Sequence, residues 1–121
     1  MTALVERAQA VARRAYAPYS HYLVGAAVRT RDGRVFEGVN VENAVYPLGV
    51  CAECNAIAQA VVEGYRPGDF EAIGITASPC GGCRQWIHEF RFDEVSYRRE
   101  DGTIATTTPA GLLPDTWELP G

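Results

Sequence analysis

The first segment of the chain has apolar residues at helical spacing. These positions are Leu4, Ala8, Val11, Ala12 and Ala15. The period predicts a helix from Thr2 to about Tyr16, and Pro18 ends it because a proline lacks the amide that a further turn needs.

Two later regions alternate apolar and polar residues as strands do, and each is split by a glycine turn. Leu23–Thr30 and Arg34–Val39 flank Arg31-Asp32-Gly33, while Val95–Arg98 and Thr103–Thr107 flank Asp101-Gly102. Glycine after aspartate accepts the positive φ of a tight turn, so both regions are predicted to be β-hairpins.

Between the hairpins the pattern predicts a helix from Cys51 to Glu63 that Gly64 ends, a short apolar strand at Glu71–Thr76, and a helix over Gly81–Phe90. With a last helix near the C-terminus, helices and strands interleave along the chain. This order is typical of a sheet covered on both faces. We therefore expect the α/β class, as a three-layer α/β/α sandwich around a mixed five-stranded sheet.

Composition supports one domain spanning 1–121, because 47% of the 121 residues are hydrophobic and no linker-like tract divides them. A net charge of −4 argues against a nucleic-acid partner, which normally meets a basic face. No apolar run approaches a membrane span, and the first residues lack a secretory leader. We expect a cytoplasmic protein that acts on a small molecule.

All four cysteines of the chain lie in two C-x-x-C pairs, Cys51 with Cys54 and Cys80 with Cys83. Cytoplasmic thiols stay reduced, so paired cysteines there indicate a metal site or a redox site rather than disulfides. A second pair fits a thioredoxin-like site poorly. On spacing alone, a structural zinc with four thiolates is favoured over a catalytic zinc, which keeps one position for water.

Glu53 lies inside the first cysteine pair, in the predicted first turn of a helix. There it is near any bound metal and can exchange protons with water. It is also an ordinary residue for a helix start, where a carboxylate complements the dipole. The residue by itself does not separate the two interpretations.

Several segments together resemble one enzyme family. Cys51-Ala52-Glu53 with Pro79-Cys80-Gly81-Gly82-Cys83-Arg84-Gln85 is similar to the paired zinc motif of nucleobase and nucleoside deaminases. The flanking segments, which are Ala17-Pro18-Tyr19-Ser20, Val24-Gly25-Ala26-Ala27, Gly38-Val39-Asn40-Val41-Glu42-Asn43 and Leu112-Leu113-Pro114, resemble the small homotetrameric cytidine deaminases of the three-cysteine zinc type. The resemblance runs nearly end to end.

The resemblance implies one Zn²⁺ per chain with Cys51, Cys80 and Cys83 as ligands. It implies that Glu53 is the proton shuttle and that the backbone amide of Ala52 lies near the reacting oxygen.

For the substrate, the resemblance implies that Asn40 and Glu42 bind the ribose 3′-hydroxyl and that Tyr22 stacks on the base. It further implies a homotetramer in which Trp117 reaches the pocket of a neighbouring subunit. An amide and a carboxylate suit a hydroxyl better than a phosphate, which favours a nucleoside over a nucleotide.

The chain departs from the family pattern near the metal. Cys54 stands where the family has an arginine that offsets thiolate charge, which leaves this task to Arg84. Tyr22 stands where the family has phenylalanine, and the loop entering Pro79 is shorter than the family's. Cys54 is expected to be a neutral thiol that does not bind the metal.

The expected reaction is zinc-dependent hydrolytic deamination of cytidine and 2′-deoxycytidine in pyrimidine salvage. One alternative is a modified cytosine nucleoside, either a blasticidin S-like antibiotic or an N4-substituted cytidine. The other is a non-catalytic zinc module with four thiolates. His21 and His88 are interpreted as ordinary surface or helix-face residues rather than ligands.

Overall fold

The computed structural model describes residues 2–120. It contains four α-helices, one short 3₁₀ turn at Tyr46–Leu48 and five strands. The helices are α1 (Thr2–Ala12), α2 (Ala52–Val62), α3 (Gly81–Glu89) and α4 (Pro109–Leu112), and the strands are β1 (Gly25–Thr30), β2 (Val35–Val39), β3 (Phe70–Ile75), β4 (Glu94–Arg98) and β5 (Ile104–Thr107). Among these residues, no helix has both the length and the hydrophobicity that a membrane crossing requires.

The strands form one mixed sheet in the order β2-β1-β3-β4-β5. The two hairpins are antiparallel, as is the central pair β1–β3, whereas β3 and β4 run parallel. A parallel pair needs a crossover connection. Here α3 is that crossover, so the second cysteine pair lies on the connection between the two parallel strands.

Helices cover both faces of the sheet. Successive side chains of each strand point to opposite faces, so neighbouring residues of one strand pack against different helices. Ala27 of β1 packs with Leu4 and Ala8 of α1 on one face. Its neighbours Ala26 and Val28 join the larger core on the other face, beneath α2 and α3. The predicted α/β fold with a mixed five-stranded sheet is confirmed.

Two glycines let helices lie directly on strand backbone. A Cβ added at Gly38 of β2 would lie 2.5 Å from the Ala52 carbonyl oxygen of α2. A Cβ at Gly25 of β1 would lie 2.0 Å from the Ala8 carbonyl oxygen of α1. Both distances are shorter than any ordinary contact, so a side chain at either glycine would push a helix off the sheet.

The predicted end of the first helix was wrong. Helix α1 ends at Ala12 rather than near Tyr16. The Tyr16 amide donates to the Asn40 carbonyl oxygen at 3.1 Å, and the Tyr16 carbonyl oxygen accepts from the Glu42 amide at 2.9 Å. Pairing with this distant segment fixes Tyr16 in an extended bridge, which overrides its helical spacing.

Candidate active site

Three of the predicted ligands meet in space. The sulfurs of Cys51, Cys80 and Cys83 all lie within 4.8 Å of one another. Tetrahedral Zn²⁺ with Zn–S distances of about 2.3 Å places its sulfurs about 3.8 Å apart. The cluster therefore needs at most a shift of about 1 Å to fit this metal, and the soft thiolate donors are those that zinc prefers.

Both cysteine pairs lie at helix starts. Cys51 is the N-cap of α2, and its side chain makes no capping hydrogen bond within residues 2–120. Cys80 is the N-cap of α3, where its sulfur accepts from the Cys83 amide at 3.5 Å. Two helix N-termini thus face one cluster, and their partial positive charge favours the thiolate form that binds a metal.

The thiols shift one another's pKa values. A hydrogen bond from Cys83 lowers the pKa of Cys51 to about 7. Hydrogen bonds to Cys51 and to Cys54, together with burial, raise the pKa of Cys83. Cys54 thus contacts the cluster through Cys83 but is not one of its three members.

Glu53 lies in the first turn of α2 and is only 4% exposed. Burial raises the pKa of its carboxyl group, while its own backbone amide and the Cys83 thiol lower it in part. Because Glu53 lies two residues after Cys51 in the first turn of α2, its carboxyl group belongs to the same helix start as a predicted ligand. A buried carboxyl group with a raised pKa is suited to taking up and returning a proton near neutral pH.

A cavity of about 320 Å³ adjoins the cluster and is lined by Asn40, Glu42, Tyr46, Val50 and Cys51, with Val41, Pro47 and Gly49. This volume lies at the small end of the range for ligand pockets. A second cavity of about 490 Å³ shares Cys51 and includes the other three cysteines. The structure thus places Asn40 and Glu42 on one open space with a predicted ligand.

Asn40 and Glu42 also hold the segment that precedes β1. Glu42 accepts hydrogen bonds from the Tyr19 amide at 3.0 Å, the Ser20 amide at 3.1 Å and the Ser20 hydroxyl. Asn40 accepts from the Val24 amide at 2.8 Å and donates to the Tyr22 carbonyl oxygen at 2.9 Å. The Ser20 hydroxyl, as the principal cause, lowers the pKa of Glu42, which keeps this carboxylate charged.

The two predicted aromatic contacts lie farther out. Tyr22 is 60% exposed and Trp117 is 69% exposed. Within residues 2–120, neither lines the two cavities beside the cluster. The structure does not bring these rings together with the sulfur cluster in one chain.

Arg84 follows Cys83 on α3 and makes three contacts. Its guanidinium donates to the Pro79 carbonyl oxygen at 2.9 Å, to the Leu112 carbonyl oxygen at 3.0 Å and to the Ser78 hydroxyl at 3.2 Å. It therefore fixes the loop that leads into Cys80 and ties that loop to the end of α4. The charge of Arg84 could be predicted from the sequence, whereas these partners could not.

Ser20 was also missed as a site residue, although the segment Ala17-Pro18-Tyr19-Ser20 was recognised as part of the resemblance. A serine separated from Glu42 in sequence by the two strands β1 and β2 gives no sign of that contact. Gln85 and His88, whose partners lie in the C-terminal segment, were missed for the same reason.

A larger cavity lies elsewhere. It measures about 680 Å³ and runs along β2 between α1 and α2, where Arg7 pairs with Glu37 at 3.0 Å. None of the cysteines lines it. Its size alone does not make it a reaction site, because its lining holds neither cysteine nor histidine.

Comparison with known proteins agrees with the geometry. Residues 1–99 match the family described as the cytidine and deoxycytidylate deaminase zinc-binding region. The chain is 40% identical to a cytidine deaminase of Sporosarcina psychrophila, over 92% of this chain and 86% of that protein. It is 39% identical to a probable cytidine deaminase of Dictyostelium discoideum, over 91% of this chain and 78% of that protein.

The fold matches as well. A crystal structure of cytidine deaminase from Burkholderia pseudomallei superposes with a TM-score of 0.89 at 45% identity, covering 96% of this chain and 98% of the other.

Proposed function

The chain belongs to the cytidine and deoxycytidylate deaminase family, and we propose that the sulfur cluster, Glu53 and the cavity beside Cys51 form its active site for cytidine and 2′-deoxycytidine. The reaction is hydrolytic: water replaces the 4-amino group of the pyrimidine, which yields the uridine nucleoside and ammonia. The enzyme is zinc-dependent, and Cys51, Cys80 and Cys83 hold the metal.

The observation that carries the proposal is the position of Glu53. The residue is 4% exposed, burial raises the pKa of its carboxyl group, and it lies in the first turn of α2, two residues after Cys51 of the three-sulfur cluster. When bound, zinc lowers the pKa of a water molecule to about 7. Glu53 then takes the proton of the attacking water, delivers it to N3 of the pyrimidine and passes a proton to the departing ammonia.

The start of α2 and the neighbouring cavity orient the substrate. The Ala52 amide, at the first position of α2, donates to the reacting oxygen. Asn40 and Glu42 line the cavity, and each retains hydrogen-bonding capacity for the ribose 3′-hydroxyl beyond its contacts with residues 19–24. A charged carboxylate in this position disfavours a phosphate and so favours a nucleoside.

The assembly is a homotetramer in which subunits share their pockets. Two features support it: Tyr22 and Trp117 have exposed rings, and the cavity beside Cys51 has exposed Tyr46 on its wall. An exposed aromatic side chain is well suited to contact a partner. In this arrangement Tyr22 stacks on the base, Trp117 enters the neighbouring pocket, and the enzyme works in cytoplasmic pyrimidine salvage.

The variant Glu53→Gln tests the mechanism. The amide keeps the shape of the carboxyl group but cannot carry the proton, so turnover of cytidine should fall by about 10²–10⁴-fold while the zinc content stays at one per chain. The decrease in cytidine absorbance measures turnover, and elemental analysis measures zinc. Near-normal turnover in this variant would refute the role of Glu53.

Substrate class and assembly have separate tests. Cytidine and 2′-deoxycytidine should be deaminated with higher kcat/KM than blasticidin S or an N4-methylated cytidine, and the reverse order would support the modified nucleoside instead. Absence of turnover on all of these substrates, together with four sulfur ligands on zinc by X-ray absorption, would support the structural zinc module.

For the assembly, light scattering should give the mass of four chains. A monomer that is fully active would contradict the sharing of pockets between subunits.

A further inference from the structure

The C-terminal segment, residues 112–118, is fastened to α3 by side chains of that helix. Arg84 donates to the Leu112 carbonyl oxygen at 3.0 Å, and Gln85 donates to the Trp117 carbonyl oxygen at 3.4 Å. His88 shares a hydrogen bond with the Thr116 hydroxyl at 3.1 Å. The same ring nitrogen lies 3.5 Å from the Glu118 carboxylate.

These contacts begin one residue after a predicted zinc ligand. Cys83 is buried in the first turn of α3, and Arg84 comes next. Arg84 and His88 are four residues apart and therefore share one face of the helix. The helix that carries two ligands at its start thus holds the C-terminal segment along its length.

The fastened segment exposes one large ring. The Trp117 carbonyl oxygen and both neighbouring side chains are held, yet the Trp117 residue is 69% exposed. The segment turns at Asp115, whose φ is +51°. A ring that merely packed on its own core would be buried. Here the backbone is fixed and the ring projects outward, which suits a contact with another molecule at a defined distance from α3.

We propose that Gln85 and His88, together with Arg84, are positioning residues that hold Trp117 at a fixed place relative to the metal centre, so that its ring can complete the substrate pocket of a neighbouring subunit. This inference rests on the proposed function, in which Trp117 contacts the nucleoside. His88, which the test removes, lines neither cavity beside the sulfur cluster and acts through Trp117. Releasing the segment should weaken substrate binding and leave the chemical step intact.

The variants His88→Ala and Thr116→Val test the contact from its two sides. Valine keeps the shape of threonine and removes only the hydroxyl group. In the zinc-loaded full chain, both variants should raise KM for cytidine by about 2–10-fold, the effect of losing one hydrogen bond, with kcat nearly unchanged. Glu89→Gln is the matched control, because Glu89 is the next residue of α3 and is exposed.

Amide hydrogen exchange gives a readout that does not depend on activity. Exchange of residues 115–119 should be faster in His88→Ala and Thr116→Val than in wild type and in Glu89→Gln, with one zinc per chain in all four proteins. Unchanged exchange in the first two variants would show that the contact does not hold the segment, and would overturn the inference.

A double-mutant cycle tests whether the effect passes through Trp117. In the Trp117→Ala background, His88→Ala should have no further effect on KM. If the increase in KM persists there, or if exchange accelerates while KM stays at the wild-type value, the positioning role is wrong. These outcomes are separate from failure of the proposed function, which would appear as retained turnover in Glu53→Gln.

Discussion

A single methyl group at Gly38 should damage the active site through the backbone of α2. In Gly38→Ala, the new Cβ would lie 2.4 Å from the Ala56 nitrogen and 2.5 Å from the Ala52 carbonyl oxygen. An ordinary contact begins at about 3.4 Å, so α2 must move away from β2 by about 1 Å. The displaced carbonyl belongs to the residue before Glu53, and the carboxyl group that we propose to be catalytic must move with it.

Two magnitudes follow from this displacement. Overpacking by one methyl group costs about 1–3 kcal/mol of unfolding free energy. For a chain of this size, that corresponds to a decrease in Tm of about 3–15 °C. A displacement of about 1 Å at a reacting group can cost about 10²-fold in rate. Calorimetry gives the first quantity, and kcat/KM for cytidine at 25 °C, where the variant is still folded, gives the second.

Gly25→Ala is the matched control on the opposite face of the sheet. Its Cβ would lie 2.0 Å from the Ala8 carbonyl oxygen, which belongs to α1, and α1 carries no residue of the site. We expect a comparable or larger decrease in Tm with kcat/KM within about 3-fold of wild type. The reasoning fails if Gly38→Ala loses stability but keeps full kcat/KM, or if the two variants lose activity equally.

Two further predictions concern Cys54 and Glu42. Cys54→Ala should keep one zinc per chain by elemental analysis while Cys51→Ala loses it, because Cys54 lies outside the three-sulfur cluster. The opposite result would make Cys54 the metal ligand and Cys51 the non-ligand. The pKa of Glu42 is held below its ordinary value of 4.5, chiefly by the Ser20 hydroxyl, so this carboxylate stabilises the fold above that pH and loses the effect as pH falls through its folded pKa. Glu42→Gln should therefore show a shallower decrease of Tm than wild type below about pH 4.5, and parallel curves would contradict the assignment.

The elements with the clearest patterns were predicted correctly from the sequence. The two glycine turns correctly predicted the positions of both hairpins, and α2 begins within one residue of the predicted start at Cys51. In these cases the information is local, since a turn residue or a cap acts on its immediate neighbours. The resemblance then supplied what spacing alone left open, namely that three sulfurs rather than four form the cluster.

The errors and omissions arose where a distant partner decides the conformation. The spacing of Tyr16 is helical, but its backbone pairs with the segment around Val41. Arg84 was interpreted by charge, whereas its acceptors include a carbonyl 28 residues away. Neither Tyr16 nor Arg84 carries a local sign of these contacts, because they depend on how the sheet brings separate segments together.

The parallel pair β3–β4 also bears on the order in which the protein assembles. Each hairpin joins strands that are adjacent in sequence, whereas β3 and β4 pair only after the whole α3 crossover has been closed. Non-local pairing of this kind is the slow part of folding. Cys51 precedes β3 and the other two ligands follow it, so the three sulfurs converge only when the centre of the sheet is complete. We therefore expect the three-sulfur cluster to form late in folding, so that an immature chain would have no assembled site at which to capture zinc.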